Sequence, residues 1–121
     1  MRLDRMVKAT VAALEDIKGR DIVVLDVRRM TTMFDKLLVA SGESMRQNKA
    51  LADNVQKKLK ALGAAVHGVE GEDSGEWILV DLGAVIVHIM QPAVRQYYSL
   101  EELWGGTTAT PGLRRAAGSK M

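Results

Sequence analysis

The stretch "GEWILVDLGAVIVHIM", residues 75–90, sets two apolar runs on either side of Leu82-Gly83. It reads as a β-hairpin, and a hairpin is marginal in water until other strands or a helix cover its apolar face. If the turn centres on Leu82-Gly83, residue 81 lies opposite 84, 79 opposite 86 and 77 opposite 88. Directly opposed residues share a face. One face is then Ile78, Val80, Val85, Val87 and Ile89, all aliphatic. The other carries Trp77, Leu79, Asp81, Ala84, Ile86, His88 and Met90. A deep core would strand the carboxylate, the imidazole and the indole N–H of this mixed face without partners. It suits a surface covered in part, by a neighbouring element or by another molecule. Asp81, just before the turn, also fits simple turn chemistry.

The remaining chain supplies that cover. Leu3, Met6, Val7, Val11, Leu14 and Ile17 recur at helical spacing, with Gly19 placed to end the helix. The run 22–27, "IVVLDV", reads as a strand buried on both faces. Residues 28–33 have no period and read as a loop, and 36–40 as a second strand closed by Ser41-Gly42. Ser44 and Gln47 fit a capping box opening a helix with Leu51, Ala52, Val55, Leu59 and Leu62 on one face. Gly63 is placed to stop that helix in a left-handed cap. A short strand is expected over 65–69, and one helix from Pro92 to about Leu103. The order predicts an α/β fold in one domain, residues 1–105, with a single mixed β-sheet and helices packed on it. Residues 106–121, rich in Gly, Thr and Ala, read as an unpacked tail.

Charge narrows the partners. The 17 Lys and Arg against 15 Asp and Glu give +2, but Arg114, Arg115 and Lys120 lie in the tail, which has no acid. Without those three, residues 1–105 hold 14 basic side chains against 15 acidic. Long-range attraction to phosphate has little support, so no primary nucleic-acid site is expected. A local patch of Arg28, Arg29 and Lys36 is the RNA-binding alternative. Glu70, Glu72, Asp73, Glu76 and Asp81 flank the hairpin with no Lys or Arg between 70 and 81. Beside an exposed Trp, such a rim favours a basic protein partner.

Chemistry is sparse. With no cysteine, thiol catalysis, thiolate metal sites and disulfides are excluded, which suits a reducing cytoplasm. The two histidines, His67 and His88, fall in separate strands without metal-ligand spacing, so neither a metal nor a cofactor is expected. No apolar stretch approaches the roughly 18 residues of a membrane span. The Ser41-Gly42 turn before a helix admits phosphate binding, and a nucleotide-dependent nucleotidyltransferase is the alternative reading. That activity wants an acidic pair spaced by one residue on a following strand. The acid in reach is Asp53, inside a helix.

Several segments together resemble the Iojap family, the bacterial ribosomal silencing factors (RsfS). They are "DIVVLDV" (21–27), "FDKLLVASGESMRQ" (34–47), "LGAAVHGVEGEDSGEWILVDLGAVIVHIMQ" (62–91) and "RQYYSLEELW" (95–104). Ala84, where an aspartate is common, and Lys36, where an apolar residue is usual, depart from the pattern. The resemblance implies a nucleotidyltransferase-like topology without that active site, and no enzymatic activity. It also implies a translational repressor that binds ribosomal protein L-fourteen on the large subunit and blocks joining of the small subunit when nutrients run short. On that reading the partner-binding residues are Trp77, Asp81, His88, Met90 and Glu70, continued by Tyr98, Leu100, Leu103 and Trp104. The alternative for the last four is an intramolecular clamp on the hairpin. An apolar face of this kind also admits a homodimer off the ribosome.

Overall fold

The computed structural model of the chain describes residues 1–104. The expected tail lies outside the described residues. Helix α1 spans Leu3–Asp16, strand β1 Arg20–Asp26, β2 Lys36–Ser41, helix α2 Met45–Ala61, and strands β3 Gly68–Glu70, β4 Trp77–Asp81 and β5 Val85–Met90. Two short helices follow, α3 Pro92–Tyr98 and α4 Leu100–Leu103. The five strands form one sheet in the order β1-β2-β5-β4-β3. The β2–β5 pair is parallel and the other three are antiparallel, so the sheet is mixed.

Helices α1 and α2 lie on one face. Met6, Ala13 and Leu14 of α1 and Leu51, Val55 and Leu59 of α2 close over Val24, Leu38, Ile78, Val80, Val87 and Ile89. The two helices are tied by Asn54 Nδ2, which donates to Ala13 O (2.7 Å), and by the Lys58–Asp16 pair. Ser44 Oγ accepts the Gln47 amide at 3.0 Å, as the capping box requires. Gln47 Oε1 accepts from Glu43 N, one residue before the cap, and its Nε2 donates to the carbonyls of Ile17 and Lys18.

Both helices end in the double backbone bond of a Schellman motif. Gly63, at φ +92, takes the left-handed position after α2, with Gly63 N on Lys60 O and Ala64 N on Leu59 O. After α1 the left-handed residue is Lys18, one position before the expected Gly19. A side chain on Gly19 would meet Leu14 O at 2.9 Å, so that glycine serves close packing instead.

Three expectations need correction. The hairpin turn centres on Gly83-Ala84, one residue later than expected, because Leu82 N donates to Val85 O. Trp77 therefore faces Met90, and His88 faces Leu79. A one-residue move of the turn changes the pairing by two, so every side chain keeps its predicted face. The strand expected over 65–69 begins only at Gly68. The single helix expected from Pro92 to Leu103 breaks at Ser99, which adopts φ 51.

Candidate functional site

Register across the sheet orders the mixed face into rows. The central row reads Val23, Val39, His88, Leu79, Glu70, and the next reads Leu25, Leu37, Ile86, Asp81, Gly68. Ser41, Met90 and Trp77 form a third. Burial falls along each row from β1 toward β3: Val23, Val39, Leu25 and Leu37 are sealed, His88, Leu79, Asp81 and Trp77 are half-buried, and Glu70 is exposed.

The sealed end is covered by α3, α4 and Phe34. Leu100 inserts over the sheet, and Trp104 meets Phe34 edge-on with centroids 5.5 Å apart. Arg95, only 3% exposed, holds this cover down: Nη1 donates to Ser41 Oγ (3.1 Å) and Nη2 to Glu101 Oε2 (3.0 Å). Tyr98 lies against Trp77 with centroids 4.9 Å apart and is half-exposed, with Tyr97 exposed beside it.

At the open end, Trp77 Nε1 donates to His88 Nδ1 at 2.8 Å. Burial pushes the His88 imidazole down to about 4, so it is neutral at pH 7. Asp81 Oδ1 accepts the Gly83 amide at 2.8 Å, which gives its carboxylate a turn-capping job alongside any other. Gly83 itself sits at φ +87 with His67 Nε2 2.9 Å from where a Cβ would project, so the turn needs glycine twice over.

The structure thus brings Glu70, Trp77, Asp81, His88 and Tyr98 to one margin of the sheet. Met90 and Leu100 lie inside, at 0% and 7% exposure, packed in the core of the covered end rather than open to a partner. Leu103 is exposed, and Trp104 is half-buried against Phe34 toward β1. Three residues of the face were missed as candidates: Leu79, Phe34 and Arg95. Leu79 was on the predicted face but carries no chemistry to draw attention. Phe34 sits in a stretch without period, and Arg95 finds Glu101 across a helix break that spacing rules do not cover.

The turn at Ser41-Gly42 is occupied by the protein itself. Ser41 Oγ accepts from Arg95, and the amide of Asn48 fills the space a Gly42 side chain would need, 2.2 Å from its Cβ position. Asp53 is exposed and pairs with Lys57. Of the basic trio, Arg28 and Lys36 both pair with Asp26, whose carboxyl the Arg28 guanidinium holds well below the usual carboxylate range. Among the described residues no three His, Asp or Glu side chains converge as a metal site would need, and no helix is long and apolar enough to cross a membrane.

The family described as "Ribosomal silencing factor during starvation" matches residues 1–119. The chain belongs to that family. It is similar to the ribosomal silencing factor RsfS of Chromobacterium violaceum, 54% identical over 106 residues that cover 88% of this chain and 87% of that one. The Bacillus subtilis RsfS is 36% identical, over 87% of this chain and 89% of its own. A crystal structure of a Chromobacterium violaceum protein superposes with a TM-score of 0.86 at 53% identity, covering 89% of this chain and 90% of that one. Family membership gives the chain the role of a ribosomal silencing factor.

Proposed function

We propose that the protein silences translation by occlusion: it docks on ribosomal protein L-fourteen of the large subunit and fills volume that the small subunit needs to join. The observation that carries this reading is the burial gradient of the mixed face. Trp77, Leu79, His88 and Tyr98 form an apolar margin left partly open, and Glu70 and Asp81 stand at its edge. An aromatic anchor inside a charged rim is the anatomy of a protein-binding hot spot, and the acidic sign favours a basic partner. No bond is made or broken, so silencing follows occupancy and reverses as the complex dissociates.

The test is sedimentation of purified large and small subunits with wild type, Glu70→Lys and Tyr98→Ser. Both positions are exposed enough for the fold to survive. Wild type travels with the large subunit and lowers the joined-ribosome peak. Each variant keeps its melting temperature and loses about tenfold in affinity. Wild type remaining at the top of the gradient, with joining untouched, would sink the occlusion reading.

A further inference from the structure

The Trp77–His88 bond decides where the imidazole carries its proton. An indole N–H only donates, so the nitrogen it reaches, His88 Nδ1 at 2.8 Å, is the unprotonated one. The ring is neutral at pH 7, and its single proton is therefore on Nε2. That N–H has no acceptor among the described residues. It is also not sealed away: the buried side-chain polar atom without a partner among these residues is Asn48 Oδ1. His88 thus offers one directed donor from the half-buried centre of the open margin.

Its surroundings select what can meet it. Leu79 and Val39 flank it along the row and are apolar, so a covering partner must bring the acceptor itself. Glu70 lies one strand beyond Leu79, and Asp81 lies in the next row. Two carboxylates on the neighbouring strands disfavour a third, which leaves a neutral oxygen as the fitting acceptor. A carbonyl fits before all, since it accepts without a donor of its own.

We propose that His88 is the specificity-determining donor of the docking face, locked by Trp77 into the Nε2–H tautomer and reading a backbone or amide carbonyl of the protein partner. This rests on the docking reading above. Trp77 is accordingly a positioning residue as well as an apolar contact. A partner surface with no carbonyl at this spot is rejected, because docking would bury the N–H unpaired.

Two measurements test it. Nitrogen-15 NMR of the full chain at pH 7 reads the tautomer directly: Nε2 protonated and Nδ1 bare is expected, and Trp77→Phe lets the ring sample both forms. A wild-type ring protonated on Nδ1 overturns the lock. Affinity for purified large subunits is then compared for His88→Leu, which keeps bulk without a donor, and His88→Gln, which can accept from the indole and donate outward. His88→Leu loses tenfold or more, and His88→Gln recovers most of that loss. The recovery separates the donor role from simple misfolding of the leucine variant. If His88→Leu binds as wild type does while Glu70→Lys and Tyr98→Ser weaken binding, the donor role is wrong and the docking face stands. If none of these changes alters binding, the docking face is wrong and the donor role falls with it.

Discussion

The two faces of the sheet are covered by very different means. On one, helices of 14 and 17 residues lie over a largely aliphatic surface, each ended by a pair of backbone hydrogen bonds. On the other, helices of 7 and 4 residues reach over part of the surface and leave the β4–β3 side open. The first face rests mainly on apolar burial, with a few side-chain hydrogen bonds such as Asn54 to Ala13 and Asn48 to Gly75 around it. The second keeps a tryptophan, a histidine, an arginine and an aspartate, each given a hydrogen-bond partner inside the chain. Polar groups of that kind add little net stability, but they hold side chains in one arrangement. One face fixes the fold, and the other fixes a surface.

The largest expected effect sharpens that contrast. Leu51→Ala, beneath α2 on the sealed face, costs about 3–4 kcal/mol in denaturant unfolding, because the packed site cannot collapse around the void. The folded fraction should still bind large subunits with wild-type affinity. A binding defect out of proportion to unfolding would erase the division between the faces.

Next in size is the pH response of the mixed face. His88 is ordinarily half-protonated at 6.5 but is held at about 4 in the folded chain. Above pH 6.5 it is neutral folded or unfolded, and its contribution is fully present. Between 6.5 and 4 the unfolded chain takes up a proton that the folded chain refuses, so stability falls by up to about 3 kcal/mol. Asp26 keeps its pairing with Arg28 through this window, since its folded pKa is lowered and its loss begins only below 3.8. Melting temperature followed from pH 7 to 4.5 should drop for wild type and flatten for His88→Gln. Equal slopes would assign the drop to other groups.

The smallest is local. Arg95→Met removes the guanidinium that joins Ser41 to Glu101 and costs about 1–2 kcal/mol. Its signature is faster hydrogen exchange in α4 than in α2. Uniform acceleration across the chain would mean that the short helices are part of the main core.

The sequence showed the faces of the hairpin more firmly than its turn. Alternation survives a one-residue error in the turn because the pairing moves by two, whereas nothing in "VDLGAV" distinguishes a turn at Leu82-Gly83 from one at Gly83-Ala84. The capping box at Ser44 was legible because it is a local bond between near neighbours. The break at Ser99 was not, since the left-handed backbone there belongs to a residue with no special tolerance for it, and what holds it is tertiary: Leu100 on the sheet and Glu101 on Arg95. Lys18 takes the place expected of Gly19, while the glycine is needed for its close approach to Leu14 O at 2.9 Å and to Leu51 at 3.2 Å. For the site, Trp77, His88 and Glu70 announced themselves by chemistry and strand position. The expected register already set Trp77 against His88 as a direct pair, and the structure makes that contact diagonal. The protonation state of His88 rests on which ring nitrogen the indole reaches, which strand pairing alone does not give.

The strand order has a consequence in time. β5 is the last strand in the chain and the middle one in the sheet, lying parallel to a strand that ends 44 residues before it begins. The β1–β2 pair and the β3–β4 pair can each form early, yet neither touches the other until Val85–Met90 slots between them. A nascent chain halted before residue 85 would hold two unfinished halves with bare edges, prone to stick to other chains. Completion of the sheet therefore waits on β5, and the segment that completes it also brings His88 to the indole that orients it.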